Sequence, residues 1–242
     1  MVTFTLEKVI GHRGAAGYAP ENTLPAFQRA FNMGCRCVEF DVMISADGEA
    51  FVFHDEQLQR TTNGHGDIEF VKADYLRSLD AGSWFSSEYT GVRIPTLRDV
   101  LIWLEKTNMQ ANIEIKAHPT LDVTVAVLKH LQHYWPKNKM LPLVSSFDFK
   151  ALKLCYSSRP DLPLGLLLRV WPKNWLALAK SINCFSINIS GRIATPKRIA
   201  AMKAEGYKVC VYTVNRRASA LKLFDWGVDA VFSDYPDLLS SH

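Results

Sequence analysis

Short runs of aliphatic, aromatic and β-branched residues alternate along this chain of 242 residues with longer stretches in which apolar positions recur every three or four residues. A short apolar run suits a strand buried on both faces, and the longer pattern suits an amphipathic helix. Their alternation is the mark of β-α units built around a parallel sheet. The pattern predicts strands at 9–12, 37–42, 111–116, 143–147, 164–168, 185–189, 208–213 and 230–233, and helices at 24–33, 97–106, 122–134, 149–157, 173–180, 196–205 and 218–224. Thr23 ahead of Leu24-Pro25 and Thr195 ahead of Pro196 mark helix starts, and Gly206 after Glu205 marks an end. Eight strands with intervening helices predict an α/β fold, a (β/α)8 barrel, with an open doubly wound sheet as the alternative.

Two segments interrupt the alternation. Phe51-Val52-Phe53-His54 follows residues 37–44 too closely for a crossover helix, and Asp47-Gly48 between them is a strong hairpin signal, so this strand should return antiparallel. With Asp47-Gly48 as a two-residue loop, Ala46 faces Glu49 and Asp41 pairs with His54, on one face; a slip of one residue would separate them. The second interruption, 55–95, is rich in Gly, Ser, Thr and Asn and has a helical pattern only near 71–79. Connections this long are usually functional, and the segment reads as an inserted, lid-like subdomain at one barrel end within a single domain spanning 1–242.

Composition narrows the class. With 48% hydrophobic and 21% charged residues the chain has the makeup of an ordinary globular protein, which excludes disorder and fibrous repeats. Five cysteines without a C-x-x-C pair fit neither a disulfide framework nor a zinc site, and point to a reducing compartment. The opening residues carry no long apolar leader, and no stretch reaches the roughly 18 uncharged apolar residues of a membrane span, so a cytoplasmic protein without stable membrane insertion is expected. Net charge is +4, divided as −5 over residues 1–121 and +9 over 122–242. Barrel closure would bring the halves together, so the split need not mean a basic face. The absence of long like-charge runs and of basic-aromatic interleaving argues against nucleic acid.

In a parallel barrel the side chains that leave the packed interior at the strand ends converge on one face. Polar residues cluster at those ends: His12-Arg13 after the first strand, Glu39 and Asp41 on the second, His54 at the end of the return strand, Glu114 and Lys116 on the next. Glu39 and Asp41, two apart on a strand, share a side, and Glu114 can join them from the adjacent strand. Three carboxylates aimed at one point must bind a cation, stay protonated or pair with bases. An all-oxygen set suits one hard divalent cation, Mg2+ or Ca2+; the alternative is a structural network with Arg13 and Lys116. His12 and His54 are candidates for proton transfer, and Arg13 and Lys116 with a metal would attract phosphate. Phe147, closing a strand, is a candidate to touch an organic substrate. Glu21 is placed to order the site, while Asn22 or Thr23 should cap the first helix. His65, His118, His130, His133 and His242 read as solvated or structural, Cys35 and Cys37 as packing at a strand start, and Trp84, Phe85 and Trp171 as core or apolar wall.

These residues lie in Gly11-His12-Arg13-Gly14, Pro20-Glu21-Asn22-Thr23, Val38-Glu39-Phe40-Asp41-Val42, His54-Asp55, Arg93-Ile94-Pro95-Thr96-Leu97, Asn112-Ile113-Glu114-Ile115-Lys116, Val211-Tyr212-Thr213-Val214-Asn215 and Gly227-Val228-Asp229-Ala230-Val231-Phe232-Ser233-Asp234-Tyr235-Pro236. In order and spacing, over nearly the whole chain, they resemble the glycerophosphodiester phosphodiesterase family, in its short cytosolic form. The resemblance implies a TIM barrel with an insertion after the second strand. It also implies metal-dependent hydrolysis of glycerophosphodiesters to sn-glycerol 3-phosphate and an alcohol. By that likeness His12 and His54 match the acid/base pair, Glu39, Asp41 and Glu114 the metal ligands, and Arg13 and Lys116 the phosphate contacts. Tyr212 stands where the family more often has Trp. With two histidines the expected route is attack by the glycerol 2-hydroxyl and a cyclic phosphate that water then opens. The competing readings are a related barrel phosphodiesterase for lysophospholipids or phosphoinositides, and a non-catalytic glycerophosphodiester-binding barrel.

Overall fold

The computed structural model describes residues 4–120 and 122–239, so His242 lies outside the described residues. Nine strands follow in order: β1 (Val9–Gly11), β2 (Cys37–Ile44), β3 (Ala50–Val52), β4 (Gln110–Ile115), β5 (Leu143–Ser146), β6 (Leu164–Leu168), β7 (Ser186–Ser190), β8 (Lys208–Tyr212) and β9 (Ala230–Ser233). All but β3 run parallel, and β1 pairs with both β9 and β2, closing eight strands into a (β/α)8 TIM barrel. The helices are α1 (Leu24–Asn32), α2 (Ala73–Ser78), α3 (Leu97–Thr107), α4 (Asp122–Tyr134), α5 (Phe149–Ser158), α6 (Trp175–Ser181), α7 (Pro196–Ala204), α8 (Arg217–Asp225) and α9 (Pro236–Leu239), the last not predicted.

The start signals act as expected. Thr23 accepts from the Ala26 N–H and Thr195 from the Arg198 N–H, each with proline in the first turn, and Gly206 sits at φ +86° after α7. Four residues expected inside strands, His12, Lys116, Phe147 and Thr213, lie just past the ladder. There the chain turns away and the side chain is no longer held to strand alternation.

Alternation along β2 sets both layers of the core. Val38, Phe40 and Val42 pack outward with Phe27 of α1 and Leu101 of α3, while Cys37 faces the inner cluster of Ile10, Leu143 and Phe232. Glu39 and Asp41 share the inner face with Cys37. In the register with β4, Glu39 stands opposite Asn112 and Asp41 opposite Glu114.

The return hairpin departs from the expected register. Val42 pairs with Val52, Met43 with Phe51 and Ile44 with Ala50, one residue off the ladder that a two-residue loop would give. The Ser45 N–H donates to the Glu49 carbonyl at 2.9 Å, so the loop is Ala46-Asp47-Gly48, with Gly48 at φ +87°. This is the three-residue hairpin that a left-handed glycine closes. Asp41 therefore lies beside Phe53, whose N–H donates to the Asp41 carbonyl at 3.0 Å. His54 follows after the strand has ended, so its side chain can turn to the mouth.

Residues 55–95 hold α2 and two short 3-10 turns, Ile68–Phe70 and Ser87–Tyr89. Leu58, Ile68, Leu76, Leu79 and Ile94 form a separate small core there against Phe51 and Phe53. The five cysteines are buried and unbridged. No helix among the described residues is long and apolar enough to cross a membrane.

Candidate active site

At the C-terminal ends of the strands a cavity of about 300 Å3 is lined by His12, Arg13, Glu39, His54, Glu114 and Lys116 on one side and by Phe147, Leu167, Arg169 and Tyr212 on the other. Glu39, Asp41 and Glu114 are all buried, and one oxygen of each lies within 4.8 Å of the others. The inner-face alternation of β2 and the in-register β4 make this cluster.

Its charges are unevenly balanced. Lys116 Nζ lies 3.4 Å from Asp41 Oδ1 and 3.0 Å from Glu114 Oε1, and Arg13 Nε lies 3.3 Å from Asp41 Oδ2. Burial opposes ionisation of Asp41, yet Lys116 and Arg13 hold it well below the usual carboxylate range. Burial and the Asp41 charge push Glu39 and Glu114 up. Glu39 accepts from the Arg13 N–H at 3.0 Å, and Asn22 Nδ2 donates to Asp41 at 2.9 Å. Two cations therefore do not satisfy three buried carboxylates; Arg13 Nε itself has no well-formed hydrogen bond. An all-oxygen cluster left short of positive charge fits a hard divalent cation, for which Glu39, Asp41 and Glu114 are the available ligands.

Both histidines line the cavity with this cluster, and each is backed through Nδ1 by a carboxylate. His12 Nδ1 lies 2.7 Å from Asp234 Oδ1, and Asn215 Nδ2 donates to the other Asp234 oxygen at 2.6 Å. His54 Nδ1 bonds Asp55. Burial works against the His12 cation, but Asp234 and Glu39 outweigh it and raise its pKa. For His54 burial prevails, helped by Arg13 and Lys116, and its pKa falls despite Asp41 and Asp55.

The far wall is aromatic. Phe147 and Tyr212 meet edge to face with centroids 5.8 Å apart, Arg169 lies over the Phe147 ring at 5.2 Å, and the Tyr212 hydroxyl donates to the Leu168 carbonyl at 3.0 Å. Trp84, Phe85 and Trp171 do not line the cavity. His118, read as solvated, instead pairs with Glu69 at 2.9 Å, tying the loop after β4 to the insertion. His130 and His133 bond backbone carbonyls of α4, as a structural reading expects.

The sequence model of the glycerophosphoryl diester phosphodiesterase family matches residues 12–238. The chain belongs to this family. Relatives of this phosphodiesterase include the glycerophosphodiester phosphodiesterase of Caldanaerobacter subterraneus subsp. tengcongensis, 32% identical over 96% of this chain and 95% of the relative. One from Bacillus altitudinis is 31% identical over 96% of each. Among solved structures, an Oleispira antarctica phosphodiesterase in complex with the product sn-glycerol-3-phosphate superposes with a TM-score of 0.94 at 37% identity, covering 97% of this chain and 95% of that one.

Several residues of this phosphodiesterase site escape sequence reasoning. Asp234 and Asn215 lie in quoted motifs but far from His12 in the chain, and only barrel closure brings β8 and β9 beside β1. Glu21 orders the site as expected, accepting from Arg13 Nη1 at 2.6 Å. Arg60, which no sequence motif marks, donates to Glu21 at 2.7 and 2.8 Å and also bonds Asp55, so it holds the carboxylates behind Arg13 and His54 together. Thr23 alone caps α1; Asn22, at φ +58° and buried, holds Asp41 instead. The local signal for Asn22 was ambiguous because the same short amide serves caps and left-handed turns.

Proposed function

We propose that the protein hydrolyses glycerophosphodiesters to sn-glycerol 3-phosphate and an alcohol, using one divalent cation, Mg2+ or Ca2+, and acid/base catalysis by His12 and His54. The observation that carries this reading is the placement of both imidazoles at one cavity with a carboxylate cluster short of positive charge. Family membership supports the reaction class, and the product named for the Oleispira antarctica structure supports the glycerol-phosphate half. Glu39, Asp41 and Glu114 would hold the cation, which supplies charge to the phosphate oxygens and acidifies a nearby hydroxyl. Arg13 and Lys116 neutralise the same oxygens as charge builds on them.

With Nδ1 of each histidine engaged by a carboxylate, Nε2 is the nitrogen left for the substrate. The lowered pKa of His54 keeps it neutral and fit to take the proton of the glycerol 2-hydroxyl, which attacks phosphorus in line. The raised pKa of His12 favours its charged form, suited to protonate the departing alcohol. Water then opens the cyclic phosphate with the roles exchanged. Phe147 and Tyr212 would pack on the glycerol carbons, and segment 55–95 would act as a lid over one side of the mouth. The test is release of glycerol 3-phosphate from glycerophosphocholine with and without a chelator, in wild type and in His12→Ala and His54→Ala. Turnover should vanish in each variant and with the chelator, and return when the cation is restored. Retained activity in both single variants refutes the assignment.

A further inference from the structure

The division of charge along the chain, which by itself need not have meant a basic face, survives folding. Strand order around the barrel follows chain order, so residues after 121 build one continuous wall from β5 to β9. Their excess of positive charge is then sorted along the barrel axis. At the N-terminal ends of the strands several bases are matched: Arg159 pairs with Asp161, Lys180 with Glu205, and Lys203 and Lys208 with Asp229. At the mouth they are not. The adjacent connections after β6, β7 and β8, with the first turns of α7 and α8, carry exposed Arg169, Lys173, Arg192, Lys197, Arg216 and Arg217, with no acidic residue in 169–174, 191–198 or 213–217. None of the six has a carboxylate partner within ion-pair distance among the described residues.

Apolar side chains stand on the same end. Val170 is 70% exposed in Arg169-Val170-Trp171-Pro172-Lys173, and Phe70, on the insertion beside the Glu69–His118 pair, is 74% exposed. Unmatched cations with a projecting apolar tip among them, as at Val170, and a second tip on the same end, Phe70, are the two components of binding to an anionic interface: charge draws the protein to the surface, and the tips enter the headgroup layer. A nucleic-acid face would account for the cations but gives no role to Val170 at the tip of its loop.

We propose that the mouth of the barrel docks on an anionic lipid surface through the connections after β6, β7 and β8, with Val170 and Phe70 inserted and the cavity facing the lipid. The proposal does not depend on the catalytic roles assigned above. Its test is co-sedimentation of the full chain with vesicles of phosphatidylcholine alone and of phosphatidylcholine mixed with phosphatidylglycerol. Binding to the mixed vesicles only is expected, falling as salt is raised. It should be at least about tenfold weaker in Lys173→Glu/Arg192→Glu/Lys197→Glu, and weaker also in Val170→Asp. Both variants should turn over soluble glycerophosphocholine like wild type, which also reports that they fold. Wild-type binding that ignores phosphatidylglycerol or salt overturns the proposal without any variant. So does undiminished vesicle binding by Val170→Asp, or binding of a DNA duplex as tight as that of the mixed vesicles.

Discussion

Asp234 shows how one side chain sets the chemistry of another. Its carboxylate holds His12 through Nδ1 and favours the charged imidazole, while Asn215 fixes the carboxylate in turn. Because His12 is proposed to donate a proton first, activity is present while His12 is charged and is lost as pH rises through its raised pKa. His54 must be neutral, so activity is also lost as pH falls through its lowered pKa. A bell-shaped profile follows, its alkaline limb belonging to His12. In Asp234→Asn the alkaline limb should move to lower pH and kcat should fall at least about tenfold, since the imidazole loses both its charge partner and its fixed tautomer. An unmoved alkaline limb, measured across pH in the variant, would break the link between Asp234 and His12.

Elements are joined in this barrel by part-buried polar ties as well as by apolar packing. Asp229, ahead of β9, accepts from Lys203 of α7 at 2.7 and 2.8 Å and from the Val209 N–H of β8 at 2.8 Å. Burial opposes its charge, but these bonds and Lys208 hold its pKa below the ordinary value. A depressed carboxylate contributes stability that is present above the unfolded pKa and is lost as pH falls through the folded one. Asp229→Asn should therefore cost about 1 kcal/mol near neutrality, with the gap to wild type closing in acid, as read by denaturant unfolding at several pH values. A gap that stays constant into acid would mean the tie is not ionic. The hairpin shows the same scale from the other side: one left-handed glycine, Gly48, adds a residue to the loop and moves the whole of β3 by one position.

For the whole molecule, the proposed cation site would couple cation binding to stability through the carboxylate cluster. Burial and the Asp41 charge push Glu39 and Glu114 up, so a bound cation would favour their ionised forms and should stabilise the fold that assembles the ligands. Thermal melting should rise with Mg2+ or Ca2+; a cation at about a hundred times its Kd contributes roughly 2.7 kcal/mol. Glu39→Gln and Glu114→Gln should lose most of that rise. A melting temperature indifferent to both ions in wild type would remove the cation from the proposed function.

Strand and helix positions, the caps at Thr23 and Thr195, and the gathering of Glu39, Asp41 and Glu114 were legible in the chain, because each depends on local periodicity or on alternation along neighbouring strands. The hairpin register was not, since Asp47-Gly48 suits loops of two and of three residues alike. Neither were Asp234 and Asn215 behind His12, nor Arg60 between Glu21 and Asp55. Those contacts join residues distant in sequence, and nothing in local pattern encodes which side chains a closed ring of strands will bring within hydrogen-bonding distance. The same holds for charge: the composition of each half can be counted from the sequence, but whether a lysine finds an aspartate depends on which end of the barrel its loop occupies.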